Sequence, residues 1–328
     1  MARHDLVTAV EHALRAPSVH NTQPWRWRIA GDSVQLHADW NRHLVATDPD
    51  RRDLVVSCGI ALHHLLVALA ARGLEADVDR LPDPDDGGHL ATVTVRPGSG
   101  RVADATLFPA IERRRTDRRR MSHRPVSAET VGVLAGHAQR AGAVLVPTSD
   151  EAVRGRLTAA LVEASHRQEP SAGYTVELEV WTRRYAGARD GVPLGSIAPA
   201  PVGATSASPL RRFPHGRLPQ PAQTPGHGAA DDAAELLVVA TPADDQAERL
   251  RAGEAVSAVL LAATRLGLAT TPLSQGVEVD AVRHAIRWDV LHVPEQPQLV
   301  LRVGWPASGA AELPPTPRRD LRSVLLST

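Results

Sequence analysis

Apolar side chains recur at regular spacing near the start of the chain and predict its first elements. Residues 5–15 carry apolar positions three and four apart, which is the spacing of an amphipathic helix, and this pattern stops at Pro17. Residues 25–29 and 34–38 then alternate apolar and polar side chains on either side of a Gly-Asp pair. The alternation predicts a β-hairpin directly after the first helix.

A longer apolar stretch follows the predicted hairpin. Residues 53–72 are mostly apolar and end at Gly73, so we predict a buried helix that is closed by a glycine cap. The segment 89–95 alternates again and predicts a strand. A second helix is predicted to end in the arginine run Arg113–Arg120.

The remainder of the chain shows the same mixture of helical and strand patterns, broken by one long irregular stretch. We predict strands over 144–147, 235–240, 269–273 and 298–304, and helices over 150–167, 175–185, 246–266 and 279–287. Residues 187–228 are rich in Gly, Pro, Ala and Ser and lack periodic apolar positions. Because so long a loop within a folded protein is often functional, we interpret residues 187–228 as a lid segment. Residues 314–328 are predicted to form a separate C-terminal arm.

The two longest apolar helices resemble each other when their sequences are aligned. Gly59 matches Gly253 and Gly73 matches Gly267, at a constant offset of 194 residues. Buried helices rich in alanine can resemble each other through composition alone. The alternative, which we favour, is an α+β fold in which two similar halves, 1–105 and 106–328, form a fused pseudo-dimer around the long central helices.

Composition narrows the class of protein. Of the 328 residues, 43% are hydrophobic and 23% are charged, which is typical of a soluble globular protein. The 37 basic and 37 acidic residues balance, so net charge gives no reason to expect a nucleic acid or a membrane as partner. Cys58 is the only cysteine, which excludes an internal disulfide and favours an inert core thiol. We find no signal peptide or membrane span, and expect a cytoplasmic protein.

The motif of highest specificity is residues 15–27, R-A-P-S-V-H-N-T-Q-P-W-R-W. It lies between a helix and a strand, where free backbone amides and short polar side chains can bond a planar heterocycle. The motif resembles the flavin-binding segment A-P-S-x-x-N-x-Q-P-W of the nitroreductase family, and its histidine makes it most similar to the Acg-type members. The resemblance implies that four residues contact FMN, namely Pro17, Ser18, Asn21 and Gln23.

A second motif, residues 113–118, reads R-R-R-T-D-R. It resembles the R-R-S-x-R segment that holds the FMN phosphate in that family, and arginine forks match the paired oxygens of a phosphate. The resemblance implies that Arg114, Arg115 and Thr116 approach the phosphate end. It places Arg118 at the N1/C2 edge of the ring, where positive charge favours reduced flavin. The alternatives are a solvated helix face or a nucleic-acid patch over residues 113–124.

Two further motifs complete the resemblance. Residues 267–275, G-L-A-T-T-P-L-S-Q, resemble the flavin-facing loop of the family, although an ordinary turn explains this string equally well. The resemblance implies contacts from Pro272, Leu273, Ser274 and Gln275, with backbone amides near Ser274 directed at flavin N5. Residues 315–321 resemble the C-terminal arm that returns a basic side chain, here Arg318, to the phosphate.

The resemblance extends from residue 5 to about residue 325, except for the lid segment. It implies one FMN per chain, bound between the halves, because no counterpart of the two main motifs marks a reciprocal site; we therefore expect a monomer. No metal site is predicted, since His63 and His64 are adjacent on a helix and face different directions. There is also no G-x-S-x-G motif for serine hydrolysis.

The expected function is that of an NAD(P)H-dependent flavin oxidoreductase acting on nitro compounds or quinones. Because the flavin performs that chemistry, no catalytic side chain is assigned from the sequence. The alternative is a non-enzymatic protein that sequesters or stores FMN beneath a closed lid. A more remote alternative is nucleic-acid binding through the arginine run, which would weaken steeply with salt.

Overall fold

The computed structural model describes residues 3–98, 102–199, 209–221 and 233–327. The helices are α1 Arg3–Ala13, α2 Arg52–Ala70, α3 Val102–Ala105, α4 Phe108–Arg113, α5 Ala128–Arg140, α6 Glu151–Gln168, α7 Tyr174–Thr182, α8 Gln246–Arg265, α9 Gln275–Glu278, α10 Asp280–Ala285 and α11 Leu321–Val324. The strands are β1 Trp25–Ala30, β2 Ser33–Ala38, β3 Leu74–Arg80, β4 His89–Pro97, β5 Val144–Pro147, β6 Glu235–Thr241, β7 Ala269–Leu273 and β8 Gln296–Gly304. Residues 200–208 and 222–228 of the predicted lid segment, and residue 328 of the predicted arm, lie outside the described residues.

Every strand and long helix predicted from the sequence is present, with ends that differ by a few residues. The helix α5 and the strand β3 were not predicted, and neither were the short helices α3, α9 and α11. The helix before the arginine run ends at Arg113, where that run begins, so the other arginines lie outside it. A π-helical turn, Ile286–Leu291, continues α10.

The strands form two antiparallel sheets of four strands each. The first has the order β1-β2-β4-β3 and the second has the order β5-β6-β8-β7. Both sheets have a register shift at the corresponding strand pair, where Leu90 of β4 and Gln298 of β8 are left without a partner residue across the pair. In each half, one helix precedes the first strand and a long helix joins the second strand to the third. The fold is therefore α+β, with two similar halves.

The long helices α2 and α8 pack against each other at the centre of the molecule. A side chain at Gly59 would place its Cβ 2.0 Å from the carbonyl oxygen of Leu250, and one at Gly253 would lie 2.1 Å from that of Val56. The two glycines therefore permit a backbone contact that any larger residue would prevent. In the described part of the chain, α2 alone is apolar and long enough to cross a membrane, and 89% of its apolar stretch is buried inside the protein. This burial is expected of a core helix.

The halves differ at one connection. A tight turn at Gly31 joins β1 to β2, whereas residues 148–234 separate β5 from β6. This insertion contains α6, α7 and the lid segment. Its described residues form a small apolar cluster that includes Tyr174, Ile197 and Phe213. Ala46 of the first half packs against this cluster, so packing as well as chain connection attaches the insertion to the body of the protein.

The C-terminal arm belongs to the second half in chain order but lies against the first. The backbone amide of Leu326 donates to the carbonyl oxygen of Trp27 at 2.7 Å. The guanidinium of Arg318 donates through Nε to the carbonyl oxygen of Ala16 at 3.1 Å. The arm therefore brings Arg318 to the end of α1, next to the first motif. The domain boundary at residues 105 and 106 stays a prediction.

Candidate functional site

A cavity lies between the two halves and takes its walls from both. Its empty space is about 700 Å³, part of which is open to solvent. Eight of the residues predicted from the sequence line this central cavity: Pro17, Ser18, Thr116, Arg118, Pro272, Leu273, Ser274 and Gln275. Sequence reasoning missed several others, including His20, Asp53, Ser57, Leu210, Arg211 and Phe213.

The first motif enters the cavity in an unusual backbone conformation. His20, Asn21 and Gln23 have φ angles of 44°, 55° and 51°, in a region that residues other than glycine seldom occupy. Hydrogen bonds hold the segment in place, because Ser18 Oγ accepts from the Gln23 amide at 2.8 Å and Ser57 Oγ accepts from the Val19 amide at 3.1 Å. Backbone strain of this kind is common at binding sites, where the surrounding contacts enforce it.

Asn21 and Gln23 lie beside the central cavity, and their amide groups bond to the protein itself. Asn21 Nδ2 donates to the carbonyl oxygen of Gly191 at 3.0 Å, and Gln23 Nε2 donates to that of Arg189 at 2.8 Å. Gln23 Oε1 accepts from the backbone amide of Arg319 at 2.7 Å. These contacts fasten the lid segment and the arm to the first half. A direct contact between either amide and a flavin stays a prediction.

The second motif runs alongside β7. Thr116 forms an isolated parallel bridge with Thr270, and the Asp117 amide donates to the Thr270 carbonyl oxygen at 2.9 Å. Thr271 Oγ1 donates to the Asp117 carbonyl oxygen at 2.6 Å. Because β7 leads directly into Ser274, this pairing brings the second motif together with the third on one wall of the cavity.

A smaller pocket of about 290 Å³ gathers the arginines predicted to bind phosphate. Arg114, Arg115 and Arg318 line it together with Arg15, and we call it the arginine pocket. Arg15 pairs with Glu112 at 3.3 Å. Within the described ranges, the other three guanidiniums bond to carbonyl oxygens or a hydroxyl and have no carboxylate partner.

The electrostatics of the arginine pocket favour an anion. Burial, and then the charge of Arg115, lower the pKa of Arg114 to about 10. Burial, and then the charge of Arg114, lower the pKa of Arg318 to about 9. Both guanidiniums stay charged at neutral pH, so their proximity is unfavourable until a negative group enters. With a side chain only 5% exposed, Arg114 also does not suit an open nucleic-acid patch.

Residues of the lid segment cover the central cavity beside Arg118. Arg118 Nη1 donates to the carbonyl oxygen of Ser196 at 3.0 Å, and its guanidinium lies 5.6 Å from the ring centre of Phe213. The ring of His20 meets the same Phe213 edge to face at 5.2 Å. Burial, and then the charges of Arg211 and Arg118, hold the pKa of His20 well below its usual value. The His20 ring is therefore neutral, and among the residues that the structure describes neither of its nitrogens has a hydrogen-bond partner.

Arg211 anchors the lid segment from inside. Its guanidinium forms a buried ion pair with Glu278 and donates to Tyr174 Oη at 2.8 Å. The same Glu278 accepts from Ser274 Oγ at 2.6 Å. Although burial opposes it, the carboxylate of Glu278 raises the pKa of Arg211. This ion pair connects the lid segment to the loop that follows β7.

Two more carboxyl groups lie at the start of α2. Asp48 caps this helix by accepting from the amides of Asp53 and Leu54 at 3.1 and 2.9 Å, and burial still raises its pKa to about 7. Asp53 lies on the cavity wall, and burial followed by the charges of Glu278 and Asp48 raises its pKa well above the usual value. In the described structure neither carboxyl oxygen of Asp53 has a hydrogen-bond partner.

The two pockets together suit one kind of ligand. The arginine pocket provides several guanidiniums for a doubly charged group, and Thr116, which follows Arg114 and Arg115, reaches the central cavity. That cavity combines apolar walls with a few polar groups, as sites for planar heterocycles do. The arrangement therefore fits a phosphorylated heterocycle bound across the halves.

The chain is similar over nearly its whole length to two proteins of Mycobacterium tuberculosis (strain ATCC 25618 / H37Rv). It is 43% identical to "Putative NAD(P)H nitroreductase Rv3131", over 97% of this chain and 90% of that protein. It is 35% identical to "Putative NAD(P)H nitroreductase acg", over 97% of this chain and 94% of that protein. A crystal structure of a nitroreductase with bound FMN from Desulfitobacterium hafniense DCB-2 aligns with 68% of this chain and 98% of its own, at 13% identity and a TM-score of 0.41. No family model matches the chain.

The sequence identities, rather than the structural alignment, decide the family. Identity of 43% and 35% extends across the motifs, both halves and most of the length of these relatives. The chain therefore belongs to the nitroreductase family, in its Acg-type branch.

Proposed function

We propose that this protein binds one FMN between its halves and uses it as an NAD(P)H-dependent oxidoreductase that reduces quinones or nitro compounds. The observation that carries this proposal is the arginine pocket, in which Arg114, Arg115 and Arg318 converge without a carboxylate partner among the described residues. A flavin phosphate carries nearly two negative charges and would remove the repulsion between the three guanidiniums. The names of the relatives support NAD(P)H as the electron donor.

The residues of the site fit FMN at both of its ends. Arg114, Arg115 and Arg318 would hold the phosphate. The ring would occupy the central cavity, where His20 and Gln275 carry buried polar atoms that have no partner within the described residues. Buried polar atoms in proteins are normally hydrogen-bonded, so ligand atoms that complete these bonds are expected there.

The chain contributes position, charge and the exclusion of water. Bound FMN supplies hydride chemistry, which amino-acid side chains cannot perform. Arg118 provides a partly buried positive charge on the cavity wall, which would stabilise an electron-rich ring. Leu210 and Phe213 of the lid segment limit the access of water to the same space. Water exclusion strengthens every charge interaction inside the site.

The experiment that tests the proposal is a flavin-binding measurement on the purified protein. The protein should show the absorption of an oxidised flavin, and flavin-free protein should take up one equivalent of FMN. Riboflavin should bind more weakly, because it lacks the phosphate and loses charge-assisted hydrogen bonds of about 1.5–3 kcal/mol each. Protein that stays colourless and takes up no FMN, or that binds both flavins equally, would contradict the proposal.

A second candidate function is the storage of FMN without turnover. The closed lid segment favours it, because Arg211 is buried in an ion pair with Glu278 and Arg118 bonds to Ser196. One anaerobic experiment distinguishes the two functions: NADPH is added to the FMN-loaded protein, followed by a nitro compound such as nitrofurazone. Rapid bleaching and reoxidation of the flavin would eliminate storage. A flavin that dithionite reduces and NADPH does not would eliminate the oxidoreductase.

We also propose that the protein acts as a monomer made of two halves, with the boundary near residue 105. Both walls of the central cavity come from the same chain, Pro17 from the first half and Pro272 from the second, so a second copy is not needed to complete it. Light scattering of the FMN-loaded protein should give the mass of one 35.1 kDa chain. A stable dimer would contradict this part of the proposal.

A further inference from the structure

A carboxyl group on the wall of the central cavity has no role in holding FMN in the function proposed above. Asp53 lies in the first turn of α2, is 3% exposed and lines the cavity. Three charged groups interact with it from the elements packed around it. These are Asp48 from the preceding loop, Glu278 from α9 and Arg211 from the lid segment. Arg211 pairs with Glu278 and acts on Asp53 only through its charge.

Hydrogen bonds decide which member of the pair is ionised. Glu278 Oε1 receives the guanidinium of Arg211 and the hydroxyl of Ser274, and its Oε2 receives the amide of Gln168 at 2.5 Å. These donors stabilise the ionised form of Glu278. Among the described residues no donor is bonded to either oxygen of Asp53, although Ser274 lies nearby, and Glu278 and Asp48 place negative charge beside it. The proton of the pair therefore resides on Asp53.

The surroundings of Asp53 differ from those of a buried acid that only supports the fold. A carboxyl group that only supports the fold is normally bonded to backbone amides or to an arginine, as Asp48 and Glu278 are. The described residues contain no cluster of acidic, histidine or cysteine side chains arranged to hold a metal ion. Two neighbouring acids whose environments separate their pKa values are a common feature of sites that transfer protons.

We propose that Asp53 is the proton donor to the electron acceptor in the central cavity, and this inference rests on the function proposed above. Reduction of a quinone to a hydroquinone requires a hydride, which NAD(P)H supplies through the flavin, and one proton. The O–H bond of Asp53 breaks, a new O–H bond forms on the reduced acceptor, and the Asp53 carboxylate then recovers a proton from water. Glu278 is a positioning residue that keeps this proton on Asp53.

The test separates the two half-reactions in the variant Asp53→Asn. Flavin content and the rate of flavin reduction by NADPH should match the wild type, because that step draws no proton from the chain. Reoxidation by a benzoquinone should slow by roughly 100-fold or more, the usual effect of losing a general acid. Reoxidation by ferricyanide, which takes electrons without a proton, should be unchanged. Asp53→Glu should restore part of the quinone rate.

Asp50→Asn is the matched control, because it makes the same chemical change on an exposed residue of the loop that precedes α2. It should leave both oxidations unchanged. Equal slowing of the quinone and ferricyanide reactions in Asp53→Asn would overturn the proposal, since that pattern indicates general damage to the site. Loss of FMN from Asp53→Asn would overturn it as well, since Asp53 would then be a flavin ligand.

A second measurement does not depend on turnover. The infrared spectrum of flavin-free wild-type protein at neutral pH should contain the C=O band of a buried protonated carboxyl group that shifts in heavy water. A band of this kind should disappear in Asp53→Asn and persist in Asp50→Asn, whereas any band from Asp48, whose pKa is raised to about 7, should remain in both variants. Absence of the band in the wild type would overturn the proton assignment even if FMN binds and turns over. Failure of the wild type to bind FMN would instead remove the proposed function and leave the infrared result standing.

Discussion

The two halves of the molecule have the same arrangement of strands and long helix, but they contribute different residues to the site. Each has four antiparallel strands in the same order and one long helix that meets its counterpart at the centre. The first half contributes the strained segment at His20 and the acid Asp53, whereas the second contributes the arginine motif and the loop at Ser274. The shared arrangement of strands and helices holds the two cavity walls at a fixed distance. The site needs both walls because each half contributes different residues.

The largest difference between the halves lies in the connection between their first two strands. A hairpin turn at Gly31 in the first half corresponds to residues 148–234 in the second. Strand ends tolerate long insertions because the frame does not depend on them. The insertion returns over the cavity and bonds to the first half, where the Gly191 carbonyl oxygen accepts from Asn21. The lid segment therefore belongs to one half and is held by the other.

The largest predicted effect comes from disrupting the contact between the helices α2 and α8. Gly59→Ala should lower the free energy of unfolding by at least about 4 kcal/mol, because the new Cβ would lie 2.0 Å from a backbone oxygen that cannot move alone. Urea unfolding measures this change. Gly253→Ala should cost a similar amount. Gly132→Ala is the control, since no atom lies within 4 Å of the new Cβ, and it should raise stability by about 0.5–1 kcal/mol. A harmless Gly253→Ala would show that the halves do not meet as described.

The next effect concerns the lid segment, which the first half lacks. Arg211→Met should destabilise the closed position by about 3 kcal/mol, because Glu278 is left as a buried charge without its partner. Faster hydrogen exchange of amides in residues 209–221 measures the opening. Arg212→Met is the control, since Arg212 lies at the surface 3.8 Å from Glu169, and should change little. Unchanged exchange in Arg211→Met would show that the ion pair does not hold the lid segment closed.

A smaller effect tests whether the arginine motif of the second half holds the phosphate. Arg114→Ala should weaken FMN binding by about 2–3 kcal/mol, or roughly 30- to 150-fold, through the loss of charge-assisted hydrogen bonds. The fold should persist, because removing one of three neighbouring guanidiniums relieves repulsion. Arg113→Ala provides an exposed control in the same run. Titration of flavin-free protein measures both, and equal FMN affinity in the two variants would contradict the assignment.

The smallest predicted effect is a pH dependence of stability that comes from α2 and has no counterpart in α8. His64 in α2 is buried at the position where α8 has Ala258, and burial followed by Arg114 holds its pKa well below 6.5. Below pH 6.5 the unfolded chain binds a proton that the folded protein excludes, so this contribution to stability is present above 6.5 and lost as pH falls. The loss is about 1.4 kcal/mol per pH unit.

His64→Ala should therefore flatten the acid side of the stability curve, although the cavity that it leaves lowers stability at every pH. Urea unfolding of flavin-free protein on both sides of pH 6.5 measures the slope. His20 is buried as well and should preserve part of it. An unchanged slope would show that His64 titrates normally in the folded state.

The sequence predicted the frame well because periodic burial leaves a local signal. The helix α2 and the strand β8 could be identified from apolar positions alone. The helix α5 had a signal that was missed, since Val131, Leu134 and Ala138 are its buried positions and Ser127 caps it. The strand β3 also had a signal that was missed, since its half-buried apolar residues alternate with exposed acidic ones.

The site was only partly predictable, because its remaining members depend on contacts between distant segments. Motifs identified both walls of the cavity and three of the four arginines that line the arginine pocket. They could not show that Asn21 and Gln23 bond to the lid segment and the arm. They also gave no indication that Arg211, within an aperiodic stretch, reaches Glu278. Such pairings follow from the folded path of the chain and leave no local pattern.

The covalent join between the halves has a consequence for how such a protein can change. In an assembly of two identical subunits, every substitution is duplicated, so a residue that improves one site must also be tolerated at its mirror position. Here Gly59 and Gly253 face each other but are encoded separately. A useful change in one half, such as an insertion over a single cavity, can therefore be kept without the same change in the other half.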